Sequence, residues 1–465
     1  MIPSRRYDMK TFTRILCLLL CLVLAAGLVP AVAEEPVYVA LGDSIADGYR
    51  LAGYTAPGSA PAESFPVLLA SAMEARLIPL AVSGMDTDGL LRALDTQAYR
   101  SAVAKADTIT LTIGSNDLLH PAIDRLTSLG QSVAEGDLSG LLTDLTGAGN
   151  VLTSAEAREE YARHVARFKD NWEAIIARIR ALNPTAEIYV TNFYNPYSIL
   201  EYTLGFFSLH VGSVAQTYLD QMNAWLEESP SAGEYRIADI RDVSTNVCFS
   251  PRDLTGFDLD PHPDPAGHAL IFRRLLTVRQ AAEAEARYPD FPREAWAREA
   301  IGGVTALGLM QGMEDGRFDP EGLLTVAQVL ALAARLHSLR HGGTAEFDQS
   351  YGSRWYDVYY KYCTDNGIIG KRDFRDLNQP ATRAQAARVL GHALETEELP
   401  ALRDVRQIPD VARGDYAGEE IYLLYRAGVL NGMNAAGEFY PQNHLRRSEA
   451  AAILLRLADA DMRIR

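Results

Sequence analysis

The sequence predicts a three-layer α/β domain with a flavodoxin-like parallel sheet, followed by an all-α triplet of repeats. Three observations predict it. From residue 37 to 239, short β-prone runs alternate with runs of helical period, the pattern of βαβ units. Polar clusters stand just after three of those runs: Gly42-Asp43-Ser44, Ser83-Gly84 and Gly114-Ser115-Asn116-Asp117. Beyond residue 287, Trp296, Trp355 and Tyr416 are each followed twelve residues later by a glycine, Gly308, Gly367 and Gly428. Those glycines are 59 and 61 residues apart, which marks an internal repeat.

Taken in order, a basic stretch from Arg5 to Arg14 precedes the apolar run from Ile15 to Val29 and the small residues Ala31-Val32-Ala33. Residues 1–33 therefore read as a signal peptide, too short in its apolar part to serve as an ordinary membrane span. Cys17 and Cys21 fall inside it, and Cys248 and Cys363 read as two unpaired thiols. Strands are expected at 37–41, 77–82, 108–113, 187–191 and 235–239, and helices at 65–73, 87–94, 161–182 and 214–227. An amphipathic run begins at Ala269. The stretch 118–160 is an insertion beside a strand's carboxyl end, a place where lids and substrate walls occur. The first domain spans 34–280, and the repeats fall at 287–345, 346–405 and 406–465.

The formal net charge is −16, a poor match for a nucleic-acid binder, because phosphates would be repelled. The polar clusters instead suggest acyl-transfer chemistry. That chemistry needs a nucleophile, a base within hydrogen-bond reach, a carboxylate to orient the base, and donors aimed at the developing oxyanion. The segment Asp258-Leu259-Asp260-Pro261-His262 supplies the base and two candidate carboxylates. His268 reads as a capping or packing residue, Asp117 as a structural hydrogen-bonder, and Asp43 as a brace for the serine turn.

These residues carry a resemblance. Gly42-Asp43-Ser44, then Gly84, then Gly114-Ser115-Asn116-Asp117, then Asp260-Pro261-His262 resemble, in order, the four blocks of the SGNH (GDSL) hydrolases. The neighbourhood of Ser44 is similar to the thioesterase I/lysophospholipase-like branch. The resemblance implies Ser44 as nucleophile and His262 as base. It also implies an oxyanion hole from the Ser44 and Gly84 amides and the Asn116 side chain, with no metal or cofactor. Two departures stand out. The family's aspartate lies three residues before the histidine, where this chain has Leu259, so Asp260 is expected as the acid with Asp258 as the alternative. The asparagine early in block two is also missing, the region reading Leu80-Ala81.

The repeats share Gly308-Leu-Met-Gln-Gly312, Gly367-Ile-Ile-Gly370 and Gly428-Val-Leu-Asn-Gly432. Helices follow near Thr325, Thr382 and Arg447, the threonines suited to capping. The triplet resembles S-layer homology (SLH) domains, which bind secondary cell-wall polysaccharide. That resemblance implies sugar contacts from Arg383 and Arg447, with Trp296 and Trp355 beside them. The first repeat reads Thr325-Val326-Ala327-Gln328 and lacks the arginine, so one groove is expected to be lost. The combined expectation is an exported, wall-tethered serine esterase acting on an acylated polysaccharide or lipid. The alternative is a degenerate head on a protein that adheres to wall polymer.

Overall fold

The computed structural model describes residues 35–118, 155–199, 201–204, 207–247 and 260–464. The expected signal peptide, Asp258, Cys248 and most of the 118–160 insertion lie outside them. Five strands form one parallel sheet in the order β2-β1-β3-β4-β7. They are β1 (Val37–Gly42), β2 (Arg76–Pro79), β3 (Thr108–Thr112), β4 (Glu187–Thr191) and β7 (Arg236–Ala238). Every residue of β3, and all but the first of β1, is buried. Both faces of the sheet are covered, which is why β1 reads as a continuous apolar run; β3, Thr-Ile-Thr-Leu-Thr, alternates threonine with apolar residues and buries both sets. The second strand is assigned Arg76–Pro79 at the sheet's edge, shorter than expected, although the Leu80 and Val82 amides still donate to Ala40 O and Gly42 O at 2.9 and 3.0 Å. Pro79, which has no amide, sits where none is given to β1.

Helices cover the two faces. On one lie α3 (Thr87–Leu94), α4 (Gln97–Val103), α5 (Ala155–Leu182) and α6 (Val211–Glu228), whose Leu90, Phe168, Trp172, Ile176 and Met222 share a core with Val39 and Ile109. On the other lie α2 (Phe65–Ala72) and α7 (Pro265–Arg287), where Phe65, Leu69, Ile271 and Leu275 meet Tyr38 and Ala40. Helix α4 and the antiparallel hairpin of β5 (Glu201–Leu204) and β6 (Phe207–His210) are additions to the sequence expectation. Each is seven residues or fewer, too short to show a period.

The topology positions the site. From β1 the chain passes to β2 on one side and then to β3 on the other, so a crevice opens at the carboxyl ends of β1 and β3. Gly42 makes the approach possible. Its φ is +144°, and a Cβ there would stand 2.1 Å from the Thr112 carbonyl oxygen.

Helix α7 starts beside the predicted base and runs out of the head. Ala284 in its last turn and Tyr288 just past its end belong to the core of the helical tail, where Tyr288 meets Phe318 edge-on at 5.4 Å. The tail contains α8 (Ala295–Ala306), α9 (Val326–Arg340), α10 (Asp357–Asp365), α11 (Arg383–Gly391), α12 (Gly418–Arg426) and α13 (Arg447–Ala458). Its repeats close into a ring. Leu324 N–H donates to Leu445 O, Leu445 N–H to Ala381 O, and Ala381 N–H back to Leu324 O, at 3.0, 3.0 and 2.7 Å. Around that ring, Val326, Arg383 and Arg447 N–H each donate to a carbonyl of the next repeat, Gln379, Asn443 and Gly322. Capping boxes at Thr325–Gln328 and Thr382–Gln385 begin α9 and α11, as the sequence suggested. Cys363 is a buried free thiol. Among the described residues no helix is long and apolar enough to cross a membrane.

Candidate active site

Ser44 opens α1 (Ser44–Asp47), a single turn begun by Asp43, whose carboxylate accepts the Ile45 amide at 3.0 Å. The predicted role of Asp43 as a brace is what the structure shows. Its other oxygen is buried without a hydrogen-bond partner among the described residues. Burial pushes its carboxyl up to about 7 against the pull of the Ile45 amide, with the charge of Asp117 adding to the rise.

His262 Nε2 lies 2.9 Å from Ser44 Oγ, although the two are 218 residues apart. His262 Nδ1 is bonded to Asp260 Oδ1 on its other side. The extended Asp-Pro-His segment does bring both side chains together, so a carboxylate two residues before the histidine reaches the ring. Two further donors fix Asp260: Arg50 at 3.1 Å and Asn246 Nδ2 at 3.1 Å, both on Oδ2. Burial raises the carboxyl, but the bond to His262 and the charges of His262 and Arg50 outweigh it and hold Asp260 below its ordinary value. The backbone is pinned as well. Asn246 N–H donates to His262 O at 3.1 Å, and Tyr194 Oη–H to Pro261 O at 2.7 Å. The Tyr49 ring lies 4.8 Å from the imidazole.

Gly84 and Asn116 stand across from Ser44. Both line one cavity of about 360 Å³ with Ser44, His262 and the apolar side chains Ile45, Tyr49, Phe193 and Pro196. Among the described residues, neither the Ser44 nor the Gly84 amide has a protein acceptor. Asn116 Nδ2 donates one hydrogen to Met85 O at 2.8 Å, which leaves its second hydrogen. Asp117 accepts from the Thr87 amide and hydroxyl, the structural duty expected of it. His268 is fully buried, stacks on Phe65, and takes the Phe65 amide on Nδ1 at 3.4 Å. Burial drives its pKa down to about 4, helped by the charge of His262, so it is a neutral core histidine.

Sequence reasoning missed Arg50, Asn246 and Tyr194. Arg50 lies six residues after Ser44, close to the first block, so its position was in view. Asn246 and Tyr194 sit in stretches with no motif, and only the folded chain brings them to the Asp-Pro-His segment.

In the tail, Trp296 and Arg383 line one groove of about 430 Å³ with Gly432, Met433 and Glu449. Trp355 lines another with Gly308, Gln311 and Arg335, and Arg447 donates to the Gln311 carbonyl at 2.8 Å. Both tryptophans are half-exposed. Both arginines are largely buried: Nε of Arg383 bonds Phe439 O at 2.9 Å, and Nε of Arg447 bonds Phe318 O at 2.7 Å. One edge of each guanidinium therefore holds the fold. The middle repeat's equivalent loop meets Val326 instead, whose amide donates to Gln379 O at 3.0 Å while that of Ala327 donates to Leu377 O at 2.8 Å.

Residues 40–270 match the GDSL-like Lipase/Acylhydrolase family, and residues 287–330 and 407–451 match the S-layer homology domain. The chain is 24% identical over 194 residues to the surface-layer 125 kDa protein of Lysinibacillus sphaericus, covering 40% of this chain and 16% of that one. It is 23% identical over 180 residues to the S-layer protein sap of Bacillus anthracis, covering 38% and 22%. The chain thus spans less than a quarter of the length of these surface-layer relatives. Among solved structures, phospholipase A1 from Streptomyces albidoflavus is similar at 20% identity and a TM-score of 0.36, covering 52% of this chain and 99% of that one. The sequence match over the strands and loops just described assigns the head: it belongs to the GDSL-like lipase/acylhydrolase family, joined in one chain to S-layer homology domains.

Proposed function

We propose that the head is a serine ester hydrolase and that the tail holds it on cell-wall polysaccharide. The observation that carries the first part is the hydrogen-bonded line Ser44–His262–Asp260 at the mouth of a mostly apolar cavity. His262 Nε2 takes the Ser44 proton as Oγ attacks the ester carbonyl. Asp260 holds the ring through Nδ1 and balances the imidazolium that forms. The Ser44 and Gly84 amides and the spare Asn116 hydrogen stabilise the tetrahedral oxyanion. His262 then returns the proton to the departing alkoxide. In the second half it takes a proton from water as the water attacks the acyl-enzyme, and gives that proton to Ser44 Oγ as the carboxylic acid leaves. Every step uses groups of this chain.

The division into a head at 34–280 and repeats at 287–345, 346–405 and 406–465 gives each activity its own body. Trp296 with Arg383, and Trp355 with Arg447, supply aromatic platforms and guanidinium edges for an anionic sugar. The S-layer names of the relatives support export and a place at the bacterial cell surface.

Hydrolysis of p-nitrophenyl acetate, butyrate and octanoate by the wild type and by Ser44→Ala tests the enzyme reading. Activity confined to the wild type is the expected result. Equal, negligible rates from both would favour a surface-adhesion protein with a retired site.

A further inference from the structure

Asp47 closes α1, three residues after Ser44, and its side chain is only 4% exposed. It accepts four hydrogen bonds. Oδ2 takes the Ser83 amide at 3.0 Å, the Ser83 hydroxyl at 2.7 Å and the Tyr54 hydroxyl at 2.9 Å, while Oδ1 takes the Gly58 amide at 3.0 Å. Among the described residues no cation pairs with it. A carboxylate is the one side chain that can accept all four, since it has no hydrogen to place against a donor.

What this cluster holds is the peptide next to the reacting centre. Gly84 has φ +79°, and a Cβ built on it would touch nothing within 4 Å. No packing against that side of the residue fixes where its amide points, so its direction is inherited from its neighbours. On one side Asn116 holds the Met85 carbonyl. On the other, Asp47 holds Ser83 through both amide and hydroxyl. The same carboxylate reaches the base by a second route. Tyr54 meets Tyr49 edge-on at 5.3 Å, and Tyr49 lies against His262.

We propose that Asp47 is a positioning residue that ties the nucleophile's own helix to the Ser83–Gly84 loop and so fixes the oxyanion-binding amide relative to Ser44. The inference rests on the reading of Ser44 as nucleophile. Losing an oxyanion donor outright costs roughly a hundred- to a thousandfold in turnover. In Asp47→Asn the NH2 group must face either Gly58 N–H or the Ser83 and Tyr54 donors, which displaces the loop without removing its amide.

The test is kcat and KM for p-nitrophenyl butyrate, with thermal melting, for the wild type, Ser44→Ala, Asp47→Asn, Ser83→Ala and Tyr54→Phe. Asp47→Asn is expected to lose roughly 30- to 300-fold in kcat with KM within about twofold, the signature of a contact made in the transition state. Ser83→Ala keeps the amide bond and should lose about tenfold or less by the same logic. A folded Asp47→Asn with wild-type kcat, or with raised KM alone, would overturn the proposal. Should Asp47→Asn not fold, wild-type kcat in both Ser83→Ala and Tyr54→Phe overturns it, and a drop in kcat at unchanged KM in either supports it. A wild type no faster than Ser44→Ala overturns the hydrolase reading, and this inference with it.

Discussion

The head gathers its polar chemistry once, at the carboxyl edge of a single sheet, from residues as distant as Ser44 and His262. The tail repeats one small device around a ring, twice in full and once stripped of its charges. In the first and third repeats Asp290 and Asp410 each accept two loop amides, those of Phe318 and Asp319, and of Phe439 and Tyr440. Arg447 and Arg383 close the same loops by bonding the Phe318 and Phe439 carbonyls. Asp319 and Tyr440 both sit at positive φ, 59° and 56°. Asp290 and Asp410 stand six residues before Trp296 and Tyr416; in the middle repeat the residue six before Trp355 is Gln349 rather than aspartate, and the arginine's place is taken by Val326. The charged parts are missing together. The aspartates hold the loop amides and the arginines the loop carbonyls, so removing one side alone leaves backbone groups of the loop unpaired, which costs more than replacing both sides together. The contrast teaches where each body is vulnerable: the head at any one residue, the tail one loop at a time.

The sharpest contrast to break is in the head. His262→Ala should lower kcat/KM by on the order of 10⁴-fold or more, and Asp260→Asn by roughly 10³–10⁴-fold, because the ring then loses its tautomer and orientation. Ester assays on the folded variants check both. A loss of tenfold or less in Asp260→Asn would return the role of acid to Asp258.

In the tail, Arg447→Ala should destabilise by about 2–4 kcal/mol, because it leaves the buried Phe318 carbonyl unpaired and removes the bond to the Gln311 carbonyl. Soluble-ester hydrolysis should stay near wild type in the same variant. Val326→Arg should fail to stabilise, since Gln349 offers no charge to the new guanidinium. Denaturant melts of the two variants side by side decide whether the device needs both halves.

The smallest effect is one of pH and belongs to the head alone. His268 has its folded pKa depressed from 6.5 to about 4, so its stabilising contribution is full above pH 6.5 and is lost as pH falls toward 4. Asp43 is raised from 3.8 to about 7, so its contribution is full below 3.8 and is lost as pH rises through 7. Between pH 4 and 6.5 the two slopes oppose each other. Asp43→Asn should expose the histidine slope, a loss of up to about 3 kcal/mol on acidification across that window. Wild-type melts should change far less over the same range.

Much of this was readable before the fold. Ser44, Gly84 and Asn116 each follow a short β-prone run, so their convergence on one edge follows from parallel topology. The repeat device was readable in its arginines but not in its aspartates, because Asp290 and Asp410 act on loops 28 to 30 residues away. Asn246 is 14 residues from the carboxylate it holds, in a segment with no period, and nothing local marks it. Asp47 was in plain view three residues after Ser44. Its role depends on Ser83, Tyr54 and Gly58 folding back around it, a convergence that no spacing rule expresses.

The central claim is that His262 activates Ser44 as a nucleophile. It is tested most directly by treating the protein with a fluorophosphonate and locating the adduct by mass spectrometry. The account predicts one adduct, on Ser44, absent in Ser44→Ala and formed at least a thousandfold more slowly in His262→Ala, on the order expected for loss of the base. An adduct on another residue, or none on a folded wild type, would contradict it.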